Sequence, residues 1–246
     1  MNTRSLSVIS MLLTAGMMLL SSGCATTQGV QGTDVAENDP YEGFNRSIYS
    51  FNDSLDKAIL KPVATGYQNI TPQPVRTGVS NFFSNLTYPI VIINDVLQGK
   101  IGQGVEDTSR LFVNTTVGLL GILDPATPLG MQAHDEDFGQ TLAVWGAGEG
   151  PYLVLPFFGS RNVRDTGGLV VDGITNPISY VGGGASVGLY AARTVETRER
   201  LLSAGRILDE AALDPYSFTR EAYRQRRESL IHDGNVPDGS SRLKIE

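Results

Sequence analysis

The sequence is poor in the residues that carry redox, metal and acid–base chemistry. It has one cysteine and two histidines in 246 residues, so no disulfide can form within the chain. Neither a metal site nor a histidine-based catalytic site is well supplied. The net charge of −7 argues against nucleic-acid binding, because neutralising phosphates requires a basic face. We therefore expect no cofactor, no metal and no nucleic-acid partner.

Long hydrophobic runs are also lacking after residue 24, where none reaches the roughly 18–20 residues that a helix needs to cross a bilayer. The N-terminus does carry an apolar run, Leu6–Leu20, which follows Arg4 and ends in small residues and Cys24. This pattern predicts a secretory signal peptide over residues 1–23.

The position of the single cysteine predicts that Cys24 is the lipid-modified first residue of a bacterial lipoprotein. Leu20 stands one place further upstream than the usual lipobox leucine, and a free thiol is the alternative. Ala25 rather than aspartate after the cysteine favours the outer membrane.

Four regions follow from composition. After the signal peptide, residues 24–38 are rich in Gly, Thr, Gln and Ala and predict a flexible, lipid-anchored linker. At Asp39 the character changes, and we expect one helical domain over residues 39–233. Gly234–Glu246 predicts a disordered tail.

Helical spacing dominates the predicted domain. Apolar residues from Phe44 to Ile59 recur every three or four positions, which predicts a helix ended by Pro62. The run Ile90–Leu97 is apolar on nearly every side, as in a helix buried in protein or lipid, and Pro89 marks its expected start. Its β-branched content suits a buried strand equally well.

Arginines are concentrated near the C-terminus, where eight lie between Arg193 and Arg227 among acidic residues. Pro215 separates two helical segments there. Mixed charge at helical spacing is typical of solvated helix faces, and a surface that docks a partner is the alternative.

Glycine, proline and the single tryptophan meet in one segment, Phe138–Asp165. Glycine permits unusual backbone dihedrals and proline removes backbone donors, so no regular helix can run through it. It is either a core strand with its turns or a flexible element that faces lipid. The residues of the predicted bend are Gly146, Gly148, Gly150, Pro151, Pro156 and Gly159.

One motif raises an enzymatic alternative. Gly184–Gly188 matches the G-x-S-x-G elbow of serine hydrolases, with His232 further on, which would make the protein a lipid-anchored esterase or lipase using Ser186. The elbow requires a strand before it and a helix after it on an α/β sheet, and the sequence shows no such succession. A chance match is the preferred interpretation, and we expect no enzyme.

Motifs distributed over residues 39–231 together resemble the VacJ/MlaA family, the lipoproteins of the maintenance-of-lipid-asymmetry pathway. They are Asp39-Pro-Tyr-Glu-Gly-Phe-Asn-Arg46, Pro72-Gln-Pro-Val-Arg76, Asn81-Phe-Phe-Ser-Asn-Leu86, Leu97-Gln-Gly99, Phe138-Gly-Gln-Thr-Leu142, Gly146-Ala-Gly-Glu-Gly-Pro-Tyr152, Asp214-Pro-Tyr216 and Arg220-Glu-Ala-Tyr223.

The resemblance implies an all-α fold, a ring of mostly amphipathic helices embedded in the inner leaflet of the outer membrane around a central channel. Such proteins remove mislocalised phospholipid from the outer leaflet and hand it to a soluble, MlaC-like periplasmic carrier for retrograde transport, which maintains outer-membrane lipid asymmetry. They associate with a trimeric porin and catalyse no reaction.

For this chain the resemblance implies attachment to the periplasmic face of the outer membrane through acylated Cys24. We expect the segment Gly146–Gly159 to form a movable wall of the channel, and the arginine-rich C-terminal helices to face the carrier. The residues expected to face lipid are Ile90, Ile92, Ile93, Trp145, Phe157 and Phe158.

Overall fold

A computed structural model of the chain describes residues 39–237. The predicted signal peptide, the linker with Cys24, and residues 238–246 of the predicted tail lie outside the described residues. Nine α-helices are described. They are α1 Glu42–Leu55, α2 Lys61–Ile70, α3 Gln73–Leu97, α4 Ile101–Thr116, α5 Phe138–Val144, α6 Val163–Thr175, α7 Gly184–Arg200, α8 Leu202–Ala211 and α9 Pro215–Ile231.

The mostly helical class predicted from the sequence is confirmed. Within residues 39–237 the exception is one antiparallel hairpin, in which β1 (Tyr152–Leu155) pairs with β2 (Gly159–Asn162). This hairpin lies in the segment whose glycines and prolines exclude a regular helix. None of the described helices is long and apolar enough to cross a membrane.

Two prolines expected at helix boundaries lie inside helical backbone instead. A π-helical stretch, Asp56–Leu60, joins α1 to α2, so Pro62 falls in the first turn of α2, where its missing N–H costs little. Pro89 lies inside α3. It removes a single backbone hydrogen bond, and its neighbours Tyr88 and Ile90 are both buried, so packing holds the helix together. The strand alternative for Ile90–Leu97 is thereby wrong.

Helices α3 and α4 pack against each other, and polar side chains tie the following loop to them. Arg110 donates from Nε to the Tyr88 hydroxyl at 2.9 Å and forms an ion pair with Asp124 at 3.1 Å. Asn114 donates to the same Asp124 carboxylate at 2.9 Å. The segment between α4 and α5, predicted as a loop, is therefore irregular but well anchored.

Helices α5 and α6 cross at two glycines. A Cβ atom added to Gly168 would lie 2.4 Å from the backbone nitrogen of Gly139, so only glycine permits this approach. Arg227 of α9 fixes the crossing, because its Nη2 donates to Asp137 at 2.6 Å and to Asp165 at 3.1 Å. Asp137 also caps α5 by accepting from the Gln140 N–H at 2.9 Å.

The interior is small and rich in polar groups. Tyr152, Val154 and Tyr216 form the buried apolar cluster, while many buried side chains are Asn, Asp, Glu, Gln or Arg. Large apolar side chains, by contrast, are exposed on several helices and loops. Exposed apolar surface on this scale is typical of proteins that bind a membrane or another apolar surface.

Candidate functional site: an amphipathic cavity

A cavity of about 1130 Å³ opens between the π-helical turn, α3, α6, α7 and the tip of the hairpin. It is somewhat larger than the roughly 300–1,000 Å³ of typical small-molecule sites. Its wall is mostly apolar. The apolar lining residues are Leu55, Ile59, Leu60, Ile90, Val91, Phe157, Phe158, Leu169, Val170 and Ile174.

The helices present these side chains through their periodicity. On α3, Thr87, Ile90 and Val91 line the cavity, a spacing of three and four residues that places them on one helix face. The same spacing recurs on α7 at Tyr190, Arg193 and Thr194. Each helix thus contributes a stripe to the cavity wall.

Two asparagines of α1 hold the hairpin at the edge of the cavity. Asn45, fully buried, donates to the Tyr152 carbonyl at 3.0 Å and accepts from the Val154 N–H at 2.9 Å. Two helical turns later, Asn52 donates to the Leu155 carbonyl and accepts from the Phe157 N–H, both at 2.9 Å. The side chains act as a third strand beside β1, because they satisfy the backbone groups of its open edge.

The hairpin turn carries two aromatic rings to the mouth of the cavity. Phe157 and Phe158 line it and remain largely exposed. Phe157 has a φ of +67°, which a bulky residue rarely adopts, and its ring makes an edge contact with Phe51 at a centroid distance of 5.6 Å. Its backbone is held in place by Asn52.

The lining also contains uncharged polar residues and five charged ones, namely Asp135, Glu136, Asp137, Asp172 and Arg193. Burial, followed by the nearby charge of Asp137, raises the pKa of Asp172 to about 6. Burial would also raise the pKa of Asp137, but hydrogen bonds from Arg227 and its charge hold that pKa below its usual value. The cavity is therefore amphipathic, with apolar walls and a charged region.

The structure brings three of the predicted lipid-facing residues together. Ile90, only 8% exposed, lies in the cavity wall with Phe157 and Phe158. Ile92 and Ile93 do not line the cavity, although Ile93 is 45% exposed. Whether these residues contact lipid stays a prediction.

Trp145 lies away from the cavity. Its indole N–H donates to the Leu97 carbonyl at 3.0 Å, and its ring contacts Phe138 at a centroid distance of 5.9 Å. The indole is more than half exposed, so one edge is anchored to α3 while the other remains available.

The predicted bend divides into two parts. Gly146, Gly148 and Gly150 lie in the loop before β1, where Gly146 and Gly150 have φ values of +89° and +66°. Pro151 begins the approach to the hairpin, and its carbonyl accepts from the Val163 N–H at 3.2 Å. Pro156 begins the hairpin turn and Gly159 is the first residue of β2, and α1 anchors this hairpin. An added Cβ would meet no atom at Gly146, Gly148 or Gly159. The movable wall stays a prediction.

Ser186 has none of the surroundings of a hydrolase nucleophile. It lies in the first turn of α7, and its hydroxyl donates to the Gly183 carbonyl at 3.2 Å. A 3₁₀ turn, Pro177–Tyr180, precedes it rather than a strand. Among the described residues no histidine or carboxylate bonds to this hydroxyl. The G-x-S-x-G match therefore has no structural support.

Sequence reasoning missed Asn45, Asn52, Asp172 and Arg193. The asparagines carried a weak signal, because they lie seven residues apart on the same side of an amphipathic helix. Asp172 and Arg193 carried none, since each looks like an ordinary charged residue on a helix until the fold turns it towards the cavity.

Three comparisons with known proteins place the chain. The sequence model described as MlaA lipoprotein matches residues 37–230. The chain is 41% identical over 219 residues to the intermembrane phospholipid transport system lipoprotein MlaA of Escherichia coli K12, covering 87% of this chain and 85% of that protein. It is 32% identical over 228 residues to the Haemophilus influenzae protein of the same name, with 90% of each covered.

A solved structure described as the structural basis for maintenance of bacterial outer membrane lipid asymmetry superimposes with a TM-score of 0.70 at 38% identity. The alignment covers 79% of this chain and 99% of that one. The named relatives are transport-system lipoproteins, and neither is an enzyme. The matches span most of the chain at 32–41% identity, and the protein belongs to the MlaA lipoprotein family.

Proposed function

We propose that this protein is an outer-membrane lipoprotein of an intermembrane phospholipid transport system, and that its cavity is the path of the lipid. On this proposal phospholipid mislocalised in the outer leaflet enters the cavity and leaves towards a soluble periplasmic carrier. The amphipathic cavity carries the proposal, because a lipid path must offer polar groups to the headgroup while keeping acyl chains in apolar surroundings. The proposal is supported by the names of the two relatives, which are lipoproteins of a phospholipid transport system, and by the similar structure, whose subject is outer membrane lipid asymmetry.

Placement in the inner leaflet is supported by the exposed apolar surface. The loop after α4 exposes Val117, Leu119, Leu120 and Leu129, and α4 itself exposes Val105 and Phe112, none of which lines the cavity. Apolar side chains in such number are stabilised in hydrocarbon rather than in water. Acylation of Cys24 would add a second attachment, since lipid chain and embedded surface together give stable anchoring.

The partners follow from this placement. A trimeric porin would contact the exposed apolar surface, and the carrier would dock from the periplasm on the arginine-rich helices α7–α9. Palmitate labelling of the wild type, lost in Cys24→Ser, tests the anchor. If the wild-type protein passes no lipid to a purified carrier in a reconstituted system, the proposed handover is contradicted.

The lipid path is tested by filling it. Gly173 of α6 lines the cavity, and an added Cβ there meets no atom. Gly167 of the same helix is equally free but does not line the cavity. In a strain lacking the native gene, a Gly173→Phe copy should leave phospholipid in the outer leaflet, while Gly167→Phe should restore asymmetry.

The matched pair distinguishes the effect of filling the cavity from a general loss of folding, because both changes replace a helical glycine by the same side chain. Full rescue by Gly173→Phe at normal protein level would exclude the cavity as the path. A Ser186→Ala copy should rescue fully, and its failure to do so would instead favour the hydrolase alternative.

A further inference from the structure

Arg193 is a cation in the cavity wall that forms no ion pair with the residues that the structure describes. It lies on α7 between Tyr190 and Thr194, which also line the cavity, and its side chain is only partly exposed. Among residues 39–237 it makes no ion pair or hydrogen bond. Burial lowers the pKa of its guanidinium, and the attraction of Tyr190, Glu196 and Asp135 offsets this effect only in part.

The carboxylates nearby are engaged elsewhere. Glu196, one turn further along α7, pairs with Arg200 at 2.7 Å. On the cavity side, Glu136 pairs with Lys100 at 2.9 Å and Asp137 with Arg227.

The two remaining carboxylates of the lining also have other contacts. Asp135 contacts Arg226 at 3.3 Å, and Asp172 accepts from the Phe138 N–H at 3.1 Å. Asp135 and Glu196 attract Arg193 electrostatically, but no carboxylate among residues 39–237 forms an ion pair with it, so its N–H donors remain available to an anion within the cavity.

The other arginines of the C-terminal helices differ from Arg193. Six of them pair with a carboxylate, namely Arg198, Arg200, Arg220, Arg224, Arg226 and Arg227. Arg206 of α8 has no such pair among the described residues, but it is exposed and does not line the cavity. Arg193 thus combines an unpaired guanidinium with a place beside the apolar wall.

We propose that Arg193 binds the phosphodiester of a glycerophospholipid whose acyl chains lie along the apolar wall of the cavity. This inference rests on the proposed lipid path and adds the group that holds the headgroup. A guanidinium offers several N–H donors in a planar fork that matches two phosphate oxygens. The apolar residues of α3 and α6 lie across the same cavity, so one lipid can satisfy both parts of the lining.

The test uses the full-length protein in detergent and two photoactivatable probes with identical acyl chains, a phosphatidylglycerol and a diacylglycerol without phosphate. The variants are Arg193→Ala, Arg193→Lys and the matched control Arg206→Ala. Crosslinking of the phosphatidylglycerol should fall about tenfold in Arg193→Ala, the loss expected for a charge-assisted hydrogen bond, and only partly in Arg193→Lys. Diacylglycerol crosslinking should not change, and Arg206→Ala should behave as the wild type.

Several results would overturn the inference. Equal phosphatidylglycerol crosslinking in the wild type and Arg193→Ala would exclude Arg193 as the headgroup ligand while leaving the lipid path intact. Inorganic phosphate could protect Arg193 from an arginine-modifying reagent while the variants leave phosphatidylglycerol crosslinking unchanged. That result would identify a site for free phosphate only. Absence of crosslinking by either probe in the wild type would instead refute the lipid path itself.

Thermal unfolding of each variant shows whether a loss of crosslinking is caused by a loss of folding. Because Arg193 makes no hydrogen bond or ion pair within residues 39–237, Arg193→Ala should unfold close to the wild-type temperature. If Arg193→Ala unfolds at a lower temperature, Arg193→Lys is used instead, because it keeps the charge and most of the side chain. The ratio of phosphatidylglycerol to diacylglycerol crosslinking in Arg193→Lys then decides whether Arg193 binds the headgroup.

Discussion

Asn45 on α1 satisfies the backbone of Val154 on β1, 109 residues away, by accepting its N–H at 2.9 Å. The same side chain donates to the Tyr152 carbonyl at 3.0 Å. A short hairpin with no further strand would otherwise bury unpaired backbone groups. The wall of the cavity formed by this hairpin is therefore as firmly placed as α1 itself.

Replacing Asn45 by alanine should destabilise the protein by about 2–4 kcal/mol, because two buried backbone groups lose their partners. Denaturant unfolding in detergent measures the change. Ser47→Ala, at an exposed position on the same helix, should alter the free energy of unfolding by no more than about 0.5 kcal/mol. Equal effects of the two substitutions would contradict the assigned role of Asn45.

The crossing of α5 and α6 should tolerate no side chain at Gly168. A Cβ there would lie 2.4 Å from the Gly139 nitrogen, so Gly168→Ala should cost about 3 kcal/mol or prevent folding. At the adjacent Gly167 an added Cβ meets no atom, and Gly167→Ala should raise the free energy of unfolding by about 0.5–1 kcal/mol. A neutral Gly168→Ala would show that the helices can separate freely.

Two adjacent arginines of α9 should differ sharply in their effect on stability. Arg227→Ala removes the guanidinium that pairs with both Asp137 and the buried Asp165, and only Arg164 still pairs with Asp165 among the described residues. The substitution should cost about 3–5 kcal/mol. Arg226 pairs with Asp135 at 3.3 Å in solvent, so Arg226→Ala should cost no more than about 1 kcal/mol. Comparable losses in chemical unfolding would disprove the structural role given to Arg227.

The buried Asp95 should make the stability depend on pH. Burial, and secondly its neighbour Asp107, raise the pKa of Asp95 above the unfolded value. Its protonated form is favoured by folding, so this contribution is fully present below the unfolded pKa and is lost as pH rises through the raised pKa.

Asp95→Asn should therefore flatten the decline in the free energy of unfolding between pH 4 and pH 8, and should stabilise the protein at the upper end. The exposed Asp209, whose pKa is lowered by its hydrogen bond and ion pair with Lys61, serves as the control. Asp209→Asn should not reduce the decline. An unchanged profile for Asp95→Asn would mean that this carboxyl ionises normally in the fold.

A disulfide between α6 and the loop Gly146–Gly150 should immobilise the predicted movable wall. A Cβ added to Gly150 would lie 3.0 Å from the Val163 Cβ, close to the separation of about 3.5–4.5 Å in disulfides. Gly150→Cys with Val163→Cys should crosslink on oxidation and block the removal of outer-leaflet phospholipid until reduced. Each single variant controls for the substitutions themselves, and normal lipid asymmetry with the crosslink formed would exclude motion at this point.

The sequence by itself determined the helical character of the chain and its family, whereas export and lipidation stay predictions from it. Apolar spacing along a single helix is local, so Phe44–Ile59 could be recognised as helical without knowledge of its neighbours. Proline was misleading at Pro62 and Pro89, because the missing hydrogen bond is local whereas the packing that compensates for it is not.

The tertiary structure alone decided which residues form the site. The bond between Asn45 and Val154 spans 109 positions, and no local pattern announces such a pairing. The freedom of Arg193 is likewise a property of the whole fold, since it depends on where each neighbouring carboxylate finds another partner. The sequence shows which residues are charged, but only the three-dimensional structure shows which opposite charges lie close enough to pair.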